Sequence, residues 1–184
     1  MTAKEISEIF TIWALNWPNA EMFQGGVKML DFRCRIFATQ LSDVDYWDGL
    51  LGAARSLRVR KYAPNIAEFS EDIAEAKRQM KNEIDSAYLS ARNSIVFFHD
   101  AGESVEQIVS RLPERTQTVI RVMGGIDAFL PPDGQYFNMD GFTRTYEMLL
   151  RKRNMLTGEK FKPALPDGKN INETKNELTE GGTT

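Results

Sequence analysis

Residues 61–69 read K-Y-A-P-N-I-A-E-F and interrupt a chain that otherwise has the spacing of continuous helix. Tyr62-Ala63-Pro64 ends one helix, because the residue before a proline is disfavoured in the α region. Asn65 is placed to cap the next helix, and Glu68, three residues on, is placed to bond back to the cap amide. The stretch predicts a tight corner between two helices, with Tyr62 and Phe69 in the core.

Helical spacing continues on both sides of this corner. After it, apolar residues recur every three or four positions from Ile66 to Ala91, roughly seven turns. Before it, Ser42 or Asp43 is the expected cap of a third helix. Earlier helices are indicated by a Thr2–Glu5 capping box, a break at Trp17-Pro18 and an opening at Gly25-Gly26, with Val27, Leu30, Phe37 and Leu41 along one face of the second helix. The aromatic residues expected in the core are Phe10, Trp13, Phe32, Phe37 and Trp47.

Further helices are expected beyond residue 92. S-I-V-F-F-H at 94–99 fits either a helix end or a short strand, and P-P-D-G at 131–134 is a turn signal. Ser104 with Gln107 predicts a cap, Gly124-Gly125 a helix end, and Asp140 the cap of a last helix that finishes at 151–153. The fold class is therefore all-α: a small helical bundle at 1–92, a smaller helical module at 100–156 and a disordered tail at 157–184.

Composition narrows the class of protein. The chain has 184 residues, 42% hydrophobic content and a net charge of −3, which is typical of a globular protein rather than one that coats nucleic acid. It contains no apolar run long enough to cross a membrane and no signal-peptide pattern at its start. The single cysteine, Cys34, fits a reducing compartment. These features predict a cytoplasmic protein without a membrane partner.

No pattern of side chains indicates catalysis. His99 is the only histidine, and Cys34 is expected to be a buried, inert thiol. The paired glycines lack the spacing of a phosphate-binding loop. Asp43 and Asp45 suit the start of a helix better than a metal site, which would need more ligands. We therefore expect a binding or assembly protein, with no cofactor and no metal, rather than an enzyme.

Residues 5–80 contain an ordered set of motifs that resembles the motifs of a known protein family. The first helix ends in the aromatic–proline pair Trp17-Pro18, and an aromatic-led helix runs from Phe32 to Leu41-Ser42-Asp43. The Asp45-Tyr46 helix start, the Ala53-Ala54 pair and the basic, aromatic–proline corner at 61–69 then follow. In this order, the motifs resemble those of the small loader-and-inhibitor proteins of bacteriophage replicative helicases. L-P-E-R-T-Q-T-V-I-R-V-M-G-G-I-D-A-F, followed by F-T-R-T-Y-E, is similar to the C-terminal part of other phage replication proteins.

The resemblance implies a helical adaptor that binds a hexameric DnaB-type replicative helicase. Such a protein restrains the helicase in solution and helps to load it onto single-stranded origin DNA, often through a phage origin-binding initiator. It implies no ATPase activity, a weak or indirect contact with single-stranded DNA, and a location in the cytoplasm of the infected bacterial host.

Two basic clusters are the candidate contact sites, for an acidic partner face or for DNA phosphates. Their residues are Arg55, Arg58, Arg60 and Lys61 in the first cluster, and Arg151, Lys152 and Arg153 in the second. The alternative functions are a DNA-binding replication or regulatory protein, and a purely inhibitory protein that captures a host helicase or its loader. Favourable interaction of cations with helix C-termini explains the same clusters without a partner.

Overall fold

The structure is a computed structural model that describes residues 1–100, 102–130 and 136–156, without the side chains of 99, 100 and 152–156. Within these ranges every regular element is helical and none is a strand, which confirms the all-α class. The helices are α1 (Ala3–Asn16), α2 (Gly26–Gln40), α3 (Tyr46–Val59), α4 (Ile66–Asp100), α5 (Val105–Arg111), α6 (Glu114–Met123), α7 (Ile126–Phe129) and α8 (Met139–Leu156), with a 3₁₀ turn at Glu21–Phe23. The turn expected at 131–134 and the tail expected at 157–184 lie outside the described residues.

Local capping chemistry sets several helix starts as the sequence predicted. Thr2 and Glu5 form the capping box of α1. At the corner, the Glu68 amide donates to Asn65 Oδ1 at 3.0 Å, and the Asn65 amide donates to Glu68 Oε2 at 2.8 Å. Two orphan amides at the start of α4 are satisfied in this way, so α4 begins at Ile66, directly after its cap Asn65.

Two other caps differ from those expected. Asp45, rather than Ser42 or Asp43, caps α3 and accepts a bond from the Trp47 amide at 2.9 Å. Asn138, rather than Asp140, accepts from the Gly141 amide at the start of α8. In each case a neighbouring short polar side chain can make the same bond, and spacing alone does not choose between them.

Residues 94–99 are helical. They continue α4 to Asp100, because the face that carries Ala91 and Ile95 is buried without interruption. The strand alternative for this stretch is therefore wrong. The final helix α8 likewise extends past the expected end at 151–153, to Leu156.

The described chain forms two compact units. The N-terminal unit is Met1–Ile73, and the C-terminal unit is Ala74–Lys160, described as far as residue 156. The division falls inside α4, earlier than the boundary near residue 92 that the sequence suggested. The reason is that Ile84, Tyr88 and Ile95 of α4 belong to the second core, although their spacing continues that of the first.

The N-terminal unit has an aromatic core in which α1 packs against α2 and α3. Trp13 and Phe69 meet edge to face with ring centroids 4.7 Å apart, and Phe10 meets Phe37 in the same way at 4.9 Å. Gly52 of α3 lies against Ile73, and a Cβ added at Gly52 would stand 3.0 Å from the Ile73 backbone. The first part of α4 therefore packs directly on the backbone of α3.

The C-terminal unit surrounds Phe129 with the rings of Tyr88, Phe137 and Phe142. At its edge, the Tyr146 hydroxyl donates to Glu83 Oε1 at 2.8 Å, which links α8 to α4. This unit has a core separate from that of the N-terminal unit, with its own apolar cluster.

Three side chains expected in the core of the N-terminal unit lie elsewhere. Tyr62 is 64% exposed, because the corner buries Pro64 and Phe69 and turns Tyr62 outward. Phe32 is 58% exposed, since α2 buries Cys34 and Phe37 on the opposite face. Trp47 is half-buried.

Val27 also differs from the sequence prediction. It was expected on the buried face of α2, but it lies in the first turn and is 84% exposed. The apolar face of α2 that the core uses therefore begins later, at Leu30, which is partly buried.

Candidate partner-binding surface

Two of the predicted basic residues are turned toward a buried carboxylate. Asp72, with a side chain only 4% exposed, accepts bonds from Arg60 Nε and Ser56 Oγ, both at 2.6 Å. Arg55 Nε lies 3.5 Å from the other carboxylate oxygen, and Arg60 also pairs with Glu68 at 3.0 Å. The bond to Asp72 raises the pKa of Arg60 above its ordinary value. Arg55 and Arg60 thus join α3 to α4, and their charges are compensated inside the unit.

Arg58 and Lys61 remain exposed in the first basic cluster. Neither forms an ion pair within the part of the chain that the structure describes. In the second cluster, Arg151 is exposed, whereas the side chains of Lys152 and Arg153 lie outside the described residues. Whether any of these residues contacts a partner stays a prediction.

A groove of about 850 Å³ runs between α2 and the corner at 61–69. Its walls are mainly apolar, and residues 62–67 of the corner form one side of it. The large apolar side chains that line the groove include Met22, Ile36, Phe37, Tyr62, Pro64 and Ile66. The corner therefore has two roles: it starts α4, and it forms one wall of a concave, mainly apolar surface of this unit.

An exposed apolar stripe on α2 leads into the groove. Met29, Phe32 and Ile36 are 43%, 58% and 36% exposed and stand at positions i, i+3 and i+7, so they share one face of the helix. Tyr62 lines the groove on the side formed by the corner. Large apolar side chains grouped on a surface mark protein-interaction sites more often than single exposed ones do.

Arg33 fixes a positive charge in the groove wall. Its Nη1 donates to the carbonyl oxygens of Glu21 and Gln24, both at 2.9 Å, and to that of Met22. The carbonyl oxygens of the 3₁₀ turn thereby hold the guanidinium in place, close to the stripe. Within the described chain, the Nε and Nη2 donors of Arg33 have no hydrogen-bond partner.

Arg33, Met29 and Ile36 were not among the predicted contact residues, and Phe32 was expected in the core. A helical-wheel comparison offers a signal for three of them, because α2 carries apolar residues on two opposite faces and only one face can join a core this small. The role of Arg33 has no sequence signal, since its partners are backbone carbonyl oxygens up to 12 positions away.

Among the described side chains, the other candidate residues form no catalytic arrangement. Cys34 is buried, and burial raises the pKa of its thiol, so it is a poor nucleophile. No group of three or more histidine, cysteine, aspartate or glutamate side chains in the described ranges is arranged to hold a metal ion. His99 lies in α4, with its side chain outside the description. Among the described helices, none has the length and apolar character needed to span a bilayer.

Comparisons with known proteins supply no relative for this chain. No protein-family profile, no curated protein and no solved structure matches it.

Proposed function

We propose that this protein is a replication adaptor that binds a hexameric DnaB-type helicase, restrains it in solution and helps to load it onto single-stranded DNA. The proposal is supported by the ordered motifs in residues 5–80 and by the surface that those motifs build. The corner at 61–69, which is the last of these motifs, also forms a wall of the groove.

One observation carries the proposal: the exposed stripe of Met29, Phe32 and Ile36 beside the groove. The walls of the groove are mainly apolar, and the guanidinium of Arg33 is already bonded to backbone carbonyl oxygens. A helix packed into an apolar groove is a common mode of protein recognition. The geometry therefore favours binding of a protein segment over turnover of a small substrate.

The adaptor acts by differential affinity. A protein that binds two states of the helicase ring equally well shifts no equilibrium, so restraint requires tighter binding of the inactive state. Loading requires that an origin-bound initiator or single-stranded DNA weaken that preference. Arg58 and Lys61, which are exposed beside the corner, are the residues we assign to a weak phosphate contact.

The test is size-exclusion chromatography with light scattering, using the protein and the replicative helicase of its host or phage, with and without ATP. We expect a co-eluting complex whose mass gives the stoichiometry. The double variant Phe32→Ser/Ile36→Ser should weaken binding about a hundredfold, because it removes two central apolar contacts. The matched control is Phe97→Ser, which removes a ring that is 70% exposed on α4.

Failure of the folded wild-type protein to bind either helicase would refute the proposal. In that case, binding to bare DNA with a steep salt dependence would identify the protein as a DNA-binding replication factor. A complex that forms but never releases the helicase onto DNA would identify a pure inhibitor.

A further inference from the structure

We infer that the groove beside α2 receives an amphipathic helix of the partner, and that an acidic side chain of this helix pairs with Arg33. This inference rests on the proposed adaptor function, because it specifies the chemistry of the segment that the adaptor recognises. Three features of the N-terminal unit carry it: the free edge of Arg33, the unbalanced charge around the groove and the exposed face of α2.

The free edge of Arg33 is shaped for a carboxylate. Carbonyl oxygens hold Nη1, whereas Nε and Nη2 have no partner within the described residues. These two nitrogens form the edge of the guanidinium that receives a carboxylate through two parallel bonds. Because the side chain is already fixed, little rotamer freedom remains to be lost when a ligand binds.

The charges around the groove also favour an acidic partner. Glu21 is the acidic residue among the side chains that line it. Lys28 lies one turn before Phe32, and Lys61 directly precedes Tyr62. Both lysines are exposed and form no ion pair within the described ranges, while the nearby Arg35 is already paired with Asp31 at 2.9 Å. The uncompensated cations, including Arg33, therefore outnumber Glu21.

A partner that packs on the exposed face of α2 must form its backbone hydrogen bonds within itself. The peptide groups in the middle of a helix are bonded to one another, so α2 has no free backbone donors or acceptors for an extended peptide to pair with. A second helix carries its hydrogen bonds internally. Its apolar stripe can then pack over Met29, Phe32 and Ile36, with Tyr62 closing the far side.

A selection experiment on the full-length chain tests the inference. The probe is a displayed library of helices of about 18 residues, or five turns, with a fixed leucine stripe and flanking positions drawn from Glu, Gln and Lys. We expect the selected helices to be enriched in Glu at one flank. The Phe32→Ser/Ile36→Ser protein should recover no helix above background.

The contact with Arg33 is then tested with a pair of synthetic peptides and a pair of proteins. Replacing the enriched Glu by Gln should weaken binding to the native protein about tenfold, since a bond to a charged group is lost. The same replacement should have a smaller effect on an Arg33→Lys protein, because lysine keeps the positive charge but lacks the two-nitrogen edge. If Arg33→Lys fails to fold, the comparison of Glu and Gln peptides on the native protein remains decisive.

Three results would overturn the inference. First, the native protein recovers no helix from the library. Second, the recovered helices have flanks no more acidic than those of the starting library. Third, the Glu and Gln peptides bind the native protein equally well. Failure of this inference and failure of the proposed function give different results. A helicase complex without any selected helix would refute the helix-in-groove inference alone, whereas acidic helices without a helicase complex would refute the helicase assignment alone.

Discussion

At the scale of single residues, Asp72 determines which residues of the first basic cluster are paired inside the unit. The sequence showed a run of positive charge at 55–61, and such a run is normally solvated or available to a partner. A carboxylate further along the chain, on the buried face of α4, draws Arg55 and Arg60 inward. The sequence places Asp72 near Phe69 and Ile73 on the same helix. The partners of Asp72, however, depend on how α3 and α4 pack.

Replacing Asp72 by alanine should lower the free energy of unfolding by about 1–3 kcal/mol, because the buried Ser56 hydroxyl and the part-buried Arg60 guanidinium lose a charged hydrogen-bond acceptor. The measurement is urea unfolding followed by tryptophan fluorescence, since Trp13, Trp17 and Trp47 all lie in the N-terminal unit. The control is Asp31→Ala, which breaks the exposed pair with Arg35 and should cost less than about 1 kcal/mol. Equal losses in the two variants would show that the Asp72 network is not a stabilising feature.

At the scale of the elements, the sequence predicted best where the chemistry is local. The Thr2–Glu5 and Asn65–Glu68 boxes involve groups three residues apart, so the residues that form them can be read directly. The exposure of Phe32 and Tyr62 was not predictable in this way. Each lies in an apolar pattern, and only the packing of neighbouring helices decides which apolar side faces the core.

The close approach of α3 to α4 makes a prediction about two glycines of the same helix. Gly52→Ala should destabilise the protein by about 1–3 kcal/mol, since the new Cβ would meet the Ile73 backbone at 3.0 Å. Gly49→Ala should have a much smaller effect, because its nearest neighbour is the flexible end of Met1 and alanine favours helix. Fluorescence-detected unfolding compares the two variants, and a smaller loss at Gly52 than at Gly49 would contradict the packing described for α3.

At the scale of the whole molecule, two separate apolar cores share one long helix. Sequence spacing predicted α4 correctly as an element, but it placed the boundary between the units near residue 92 instead of within the helix after Ile73. A helix with one continuous apolar face gives no sign of where its packing partners change. This information lies in the contacts, which local patterns do not encode.

Separate cores predict separate unfolding signals. Phe129→Ala should cost the C-terminal unit about 3–5 kcal/mol, because it empties the centre of an aromatic cluster. Helix loss measured by circular dichroism should then begin at a lower urea concentration, while the tryptophan signal of the N-terminal unit keeps its midpoint. A shift of both signals together would instead show that the two cores unfold as one cooperative unit.

The exposed corner also has a consequence for proteolysis. Lys61 is a site for trypsin, and both Lys61 and Tyr62 lie at the surface between α3 and α4. Since Tyr62 also lines the groove, a bound partner would cover the scissile bond. The rate of cleavage after Lys61 is therefore a direct readout of groove occupancy, obtained from the unlabelled native chain in a mixture with any candidate partner.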